Sequence, residues 1–396
     1  MKKLIVILCS LMLIQLFACA KTSDTLKPGE TIKIGFIGPM TGDDSGYGIL
    51  PSQAVRIAID EFNEQGGING FKIQLIIEDS IGNAETGIQG AGKLVKTDKV
   101  LALVGDSFSS VSLAIAPIVN GAKVVMISPG STHKDLPNKG DFIFRTIISD
   151  AVQAVIFAKY LFGVENIQNA AILYTNNVYS KGIAMDFWSE FENAGGHLVA
   201  VESADQGAAD FRPQLKKIKD KNPDILYLPN YVSDIVLMVK QAKEIGLKAK
   251  MYSADAFGNT QIFELLGDLT NEVVFTQKAS VEASQKKKDF AAKYEAKWGI
   301  APDDYSYNAY DATYIILNAI KQTSSKGLIS GSLNIDRDQV RNFIAATKDF
   351  DGVSGNISFT DNGDLIGNIG IFSTENKKFK QLESYKLDGL NLIKLQ

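Results

Sequence analysis

Cysteine is nearly missing from this sequence. Its 396 residues contain two, Cys9 and Cys19, both within the first 19 positions. Everything beyond Cys19 must therefore fold by burial alone, with no disulfide of its own. Histidine is as scarce, with only His133 and His197, so no metal site is expected. A basic excess is missing too. Lys and Arg number 41 against 45 Asp and Glu, a net charge of −4, which argues against a nucleic-acid partner and its clustered positive surface. No stretch after the N-terminus approaches the ~18 apolar residues that mark a membrane-spanning helix. What is present is ordinary globular composition, 45% hydrophobic and 22% charged, in a chain long enough for two or three domains.

The one long apolar run is N-terminal. Lys2 and Lys3 precede residues 4–17, which are interrupted only by Cys9, Ser10 and Gln15. The run is too short to span a bilayer comfortably and suits a signal sequence. It ends in Leu16-Phe17-Ala18-Cys19, which resembles the bacterial lipobox. That resemblance implies a signal peptide over residues 1–18 and a lipidated Cys19. An acylated Cys19 would anchor an exported protein to a bacterial membrane, on its periplasmic or cell-surface side, without spanning it. Losing Lys2 and Lys3 would take the net charge from −4 to −6. Residues 19–30, polar and containing Pro28-Gly29, read as the lipidated cysteine and a flexible tether.

From residue 31 short β-rich runs alternate with amphipathic helical stretches. Strands are expected at 32–37, 72–78, 100–104 and 124–127, with helices at 52–65, at 85–96 and from about 111. The pattern restarts with strands at 170–174, 197–203, 225–228 and 250–253 and helices at 181–193, 211–221 and 232–245. Further helices are expected at 286–297 and 307–322, and short strands over 355–387. This order predicts an α/β protein with two doubly wound parallel-sheet lobes. Ligands of such sheets bind beyond the carboxyl ends of the strands. The loops after residues 37, 104, 127, 174, 228 and 253 are thus the places to look.

Several motifs suggest catalysis and fail on their partners. Gly105-Asp106-Ser107-Phe108 has the look of an esterase nucleophile block, but neither histidine follows an aspartate at the needed spacing. Gly87 to Lys93 matches most of a phosphate loop, but Leu94 stands where a hydroxyl must meet Mg²⁺. Ser131-Thr132-His133-Lys134 has a serine-x-x-lysine spacing on a loop rather than a helix. No complete catalytic set emerges, so an enzyme is not expected.

One ordered series remains. Gly38-Pro39-Met40-Thr41-Gly42, Tyr47-Gly48, Asp60-Glu61-Phe62-Asn63 and Gly66-Gly67-Ile68-Asn69-Gly70 are followed by Ser109-Ser110, Ala114-Ile115-Ala116-Pro117 and Ile127-Ser128-Pro129-Gly130-Ser131-Thr132. Phe144-Arg145-Thr146, Tyr179-Ser180-Lys181-Gly182, Asp210-Phe211 and Gly363-Asp364-Leu365 then complete it. Over residues 31–387 this resembles the type I periplasmic binding proteins, nearest the leucine/isoleucine/valine-binding branch that serves ABC importers. The resemblance implies two lobes joined by three hinge crossovers, lobe 1 as 31–149 plus 279–365 and lobe 2 as 150–278 plus 366–396. It implies a neutral amino acid, branched-chain or similar, bound between them by hinge closure, with no cofactor. It also implies permease subunits as partners and a monomeric body.

Site residues carry over position by position. The ligand carboxylate would meet Ser109 and the backbone of Ser131-Thr132. The ammonium would meet the Gly130 carbonyl, the Thr132 hydroxyl and Asp255. Tyr47, Tyr179, Tyr231 and Tyr305 would form the walls. Asp255 stands where the family often has glutamate, one methylene shorter. Asp106 beside the site, and the lack of arginine in the site loops, disfavour acidic ligands. The alternatives are another small ligand (an amide, a small peptide or an aromatic acid) in the same fold, or a sensor that presents its ligand to a receptor.

Overall fold

In the computed structural model, residues 23–280 and 284–395 are described. The expected signal peptide and Cys19 lie outside them. Two separate sheets carry the architecture. The first has five strands, all parallel, in the order Ile73–Asp79, Ile32–Gly38, Ala102–Gly105, Val125–Ser128, Ile143–Arg145. The second has eight. Its parallel part runs His197–Ala204, Asn169–Thr175, Ile225–Leu228, Lys250–Ser253, Val273–Lys278. The strands Ile369–Glu375, Lys378–Asp388 and Asn391–Lys394 extend it antiparallel.

Every residue of the Ala102–Gly105, Val125–Ser128 and Ile225–Leu228 strands is buried. Helices therefore cover both faces, and the strand sequences are continuously apolar rather than alternating, as a covered parallel sheet requires. The long helices Gly46–Glu64 and Asp304–Thr323 pack on each other beside the first sheet. Asp150–Gly163 and Val178–Ala194 do the same beside the second.

Parallel strands of one sheet share a carboxyl edge. Gly38, Gly105 and Ser128 end strands of the first sheet, and Thr175, Leu228 and Ser253 end strands of the second. Gly105 turns at φ +124°, and a Cβ there would lie 2.0 Å from the Ile37 carbonyl oxygen. Only glycine lets the following loop leave so close to the neighbouring strand.

The structure departs from the sequence reading in identifiable places. Residues 23–26, expected within a flexible tether, form a strand antiparallel to Leu333–Asp336. The Arg337 guanidinium clamps it at 2.7 Å from Asp24. A short polar segment orders here because a sheet edge and a half-buried cation are waiting for it. The segment still free to act as a tether is correspondingly shorter. Helix Asp150–Gly163 was not foreseen, because its apolar residues fall all around the helix and leave no stripe to detect. Helix Arg337–Ala345 was not foreseen either. Helix Asp304–Thr323 begins three residues ahead of expectation because Asp303 caps it, accepting from the Ser306 backbone N–H at 2.8 Å. Among the described residues no helix is long and apolar enough to cross a membrane.

Candidate functional site

The carboxyl edges of the two sheets face one another, and their loops meet. On the first sheet's side, the Asp106 carbonyl accepts from three hydroxyls, Ser112 at 2.9 Å, Ser128 at 2.6 Å and Ser131 at 3.0 Å. This knot ties the loop after Ala102–Gly105 to the loop after Val125–Ser128. Ser131 is consumed by it, since its backbone N–H also donates to Ser128 Oγ at 2.9 Å. Ser131 thus shapes the loop and has no N–H free for a ligand, contrary to expectation. The Asp106 carboxyl is fully buried, and burial pushes it up to about 7. It lies beneath the site, with one oxygen accepting from the Phe108 N–H at 2.7 Å.

Ser109 opens helix Ser109–Gly121 and is buried. A helix start of this kind favours an anion; in the shut cleft the Ser109 hydroxyl accepts from the His133 N–H at 3.4 Å, and the Tyr231 hydroxyl lies against the Ser109 backbone. Beside it, the Thr132 hydroxyl is buried with no hydrogen-bond partner.

On the second sheet's side, Asp255 sits in the short turn Asp255–Gly258. Its carboxylate accepts from Gln153 Nε2 at 3.0 Å, the Tyr179 hydroxyl at 3.0 Å and the Tyr305 hydroxyl at 3.2 Å. A second carboxylate, Asp150, is 1% exposed, and both its oxygens lack any hydrogen-bond partner. It faces the Thr132 hydroxyl and feels the charge of Asp255. Burial pushes both carboxyls above the ordinary aspartate range. Two buried acids without a cation are costly.

Asp150 and Gln153 escaped the sequence reading. An aspartate in a first helical turn is usually an exposed partner of the helix dipole. Only the packing of Asp150 against Thr132 distinguishes it. The other expected residues converge. Tyr47, Tyr179, Tyr231 and Tyr305 are each at most 4% exposed and form linked ring contacts, Tyr47 with Tyr231 at 5.6 Å, Tyr47 with Tyr305 at 5.2 Å and Tyr179 with Tyr231 at 4.9 Å. Gly130 lies against Tyr305, where a Cβ would come within 2.9 Å of the ring.

The cleft is shut. The Tyr47 hydroxyl donates to the Ala256 carbonyl across it at 2.6 Å. Asp44 accepts from the Ser233 N–H at 3.1 Å and its hydroxyl at 2.9 Å. It thereby caps, from the opposite side, a helix (Val232–Glu244) whose own N-cap residue offers no side chain. Lys134 pairs with Asp186 at the rim.

Arg145, fully buried, supports the first wall from behind. It grips Asp364 with two bonds at 2.6 and 2.8 Å and donates to the Ser131 and His133 carbonyls at 3.3 and 2.8 Å. Its hydrogen bonds go to Asp364 and the loop rather than to the cleft carboxylates, and its charge lowers the Asp150 carboxyl less than burial raises it.

A family model described as "Periplasmic binding protein" matches residues 31–378. The leucine-, isoleucine-, valine-, threonine- and alanine-binding protein of Pseudomonas aeruginosa is 28% identical over 85% of this chain and 87% of its own length. The crystal structure of the leucine-binding protein LivK from Thermotoga maritima is similar at a TM-score of 0.82 and 27% identity, covering 89% of this chain and 98% of that one. The LivJ substrate-binding protein of Streptococcus pneumoniae, solved in complex with isoleucine, is similar at 0.80 and 27% identity, covering 92% of this chain and all of that one.

Proposed function

The chain belongs to the periplasmic binding protein family, and from that premise we propose that it is the extracytoplasmic solute-binding protein of an ABC importer for a branched-chain or similar neutral amino acid. The observation that carries this reading is the pair of buried carboxylates, Asp150 and Asp255, set opposite the helix start at Ser109. A zwitterion fits both ends. Its ammonium is held by Asp150, Asp255, the Thr132 hydroxyl and the Gly130 carbonyl. Its carboxylate lies at Ser109, against the positive end of helix Ser109–Gly121. Its side chain turns toward the tyrosines.

Closure follows from where these groups stand. Ser109, Gly130 and Thr132 belong to loops of the first sheet, and Tyr179, Tyr231 and Asp255 to loops of the second. Only the closed form makes both sets of contacts, so ligand shifts the population toward it. Bringing Asp150 and Asp255 out of water without a cation opposes closure, and the ammonium removes that penalty. We place the hinge crossings near residues 149, 278 and 366, between lobe 1 (31–149 plus 279–365) and lobe 2 (150–278 plus 366–396). The loaded form is delivered to permease subunits, and lipidation at Cys19 would keep the protein at the membrane. An aromatic acid or a simple amide lacks the ammonium that the two aspartates require and is disfavoured.

The test is a melting-temperature scan of the protein, refolded after ligand stripping, against the twenty amino acids. A ligand at one hundred times its Kd adds about 2.7 kcal/mol of stability. The neutral set is expected to contain the stabilising ligands, and the acidic and basic amino acids are expected to leave the midpoint unmoved. A scan in which no neutral amino acid raises the midpoint would overturn the reading.

A further inference from the structure

Gln153 is bonded to Asp255 twice over. Its Nε2 donates to Asp255 Oδ1 at 3.0 Å, and its Oε1 accepts from the Asp255 backbone N–H at 3.2 Å. The same oxygen accepts from the Thr276 hydroxyl. Gln153 is 1% exposed, so these partners hold its amide in one sense. A flipped amide would set N–H against the Asp255 N–H and a carbonyl oxygen against the carboxylate.

A carboxylate has about four acceptor positions. Gln153 and the Tyr179 hydroxyl take both on Oδ1, and the Tyr305 hydroxyl takes one on Oδ2. The fourth, on Oδ2, is left for an ammonium. Gln153 thereby decides which oxygen of Asp255 meets the ligand, and its donated bond favours the charged form that an ammonium needs.

The clasp also reaches the segments that enter the hinge. Gln153 follows Asp150 by three positions, on one face of helix Asp150–Gly163, just after the crossing proposed near residue 149. Thr276 belongs to the strand Val273–Lys278, which runs into the crossing proposed near 278. One amide thus joins Asp255 to both segments.

We infer that Gln153 is a positioning residue for amino-acid binding, holding Asp255 to the helix that carries Asp150 so that the two carboxylates reach one ammonium together. The inference rests on the amino-acid reading above and deepens it. Gln153 acts through Asp255 rather than on the ligand.

Calorimetric titration with the neutral amino acid that raises the melting temperature most tests it, in wild type, Gln153→Met, Asp255→Asn and the double variant. Methionine keeps the length of the side chain and offers no amide. Gln153→Met is expected to weaken binding about tenfold or more at neutral pH, the worth of a hydrogen bond to a charged group. In the Asp255→Asn background the same change is expected to add no more than about twofold. The affinity of Gln153→Met is also expected to begin falling at a higher pH than that of wild type, because the lost donor no longer holds Asp255 charged against burial. The other groups within reach of Asp255 are the same in both proteins. They are Asp150, itself under the charge of Arg145, the five tyrosines Tyr47, Tyr179, Tyr227, Tyr231 and Tyr305, and Lys278 and Asp304, which line a small cavity with it.

Thr276→Val removes the hydroxyl that holds the Gln153 amide and is expected to weaken binding in the same direction by less. It carries the same cycle if the melting temperature shows Gln153→Met to be unfolded. Additive losses or an unmoved pH profile would overturn the positioning role, as would a folded Gln153→Met with the affinity of wild type. If Asp255→Asn binds as wild type does, the ammonium assignment falls and takes the positioning role with it. If no amino acid binds wild type, the amino-acid reading itself falls.

Discussion

Replacing Asp150 by asparagine is expected to weaken amino-acid binding by about 2–5 kcal/mol, the range for removing one partner of a buried charge pair. The same variant is expected to let the ligand-free protein close more readily. The two effects have one cause. Asp150 is buried with both carboxylate oxygens unpartnered, so its charge opposes closure when the cleft is empty and attracts the ammonium when it is not. Asparagine is nearly isosteric and removes both influences. A residue that merely packed the helix start would move neither. Titration calorimetry reads the first effect, and the scattering radius of the ligand-free protein reads the second.

The pH dependence carries a definite sign. Burial raises the Asp150 and Asp255 carboxyls in the closed cleft without ligand, and a bound ammonium draws them back toward the charged form. Affinity is therefore complete above the raised values and falls as the pH is lowered through them. The loss begins at a higher pH than ordinary aspartates would give. An affinity that is flat down to pH 4, or unchanged in Asp150→Asn, would contradict the assignment.

Arg145→Met is expected to cost about 3 kcal/mol of stability, the low end of the range for breaking a buried ion pair, because the partner left behind, Asp364, is 22% exposed. Its guanidinium is fully buried and makes four hydrogen bonds, two to Asp364 and two to carbonyls of the loop that carries Thr132. Methionine keeps the length of the side chain and none of these bonds. Urea unfolding of wild type, Arg145→Met, Asp364→Asn and the double variant should show strong coupling between the two positions. Ligand affinity should fall too, since the Ser131 and His133 carbonyls lose the donor that fixes the loop. An unfolding midpoint within experimental error of wild type would show that the pair contributes nothing.

The strand and helix alternation made the parallel parts of both sheets legible, because covered strands such as Ala102–Gly105 and Ile225–Leu228 are almost wholly apolar. Tyr47 and Tyr179 stand in the ordered series of motifs, Tyr231 and Asp255 just beyond strand ends and Tyr305 at a helix start, and the structure brings these five side chains together. Asp150 was not legible. Its identity as a cleft carboxylate depends on the helix Asp150–Gly163, which has no apolar stripe, and on a neighbour, Thr132, that lies on a separate loop. An aromatic beside a helix start reads as core, and only the structure shows Phe108 stacked on Tyr231 from the other sheet. The sequence reading gives Ser131 a donor role, whereas its N–H turns to Ser128 and its hydroxyl to Asp106 and Ser112 within the loop knot. Residues 23–26 read as tether because their pairing partner, Leu333–Asp336, lies some three hundred positions away.

Closure itself is open to one direct measurement. In the shut cleft Tyr47 reaches the Ala256 carbonyl at 2.6 Å, and Asp44 holds Ser233 by two bonds. None of these contacts survives if the lobes part. Small-angle X-ray scattering of the stripped protein, before and after saturation with the neutral amino acid that raises its melting temperature most, reads the difference. The radius of gyration is expected to fall on saturation and to return when the ligand is dialysed away. A radius unchanged by an amino acid that calorimetry shows to be bound would contradict a cleft that closes on its ligand.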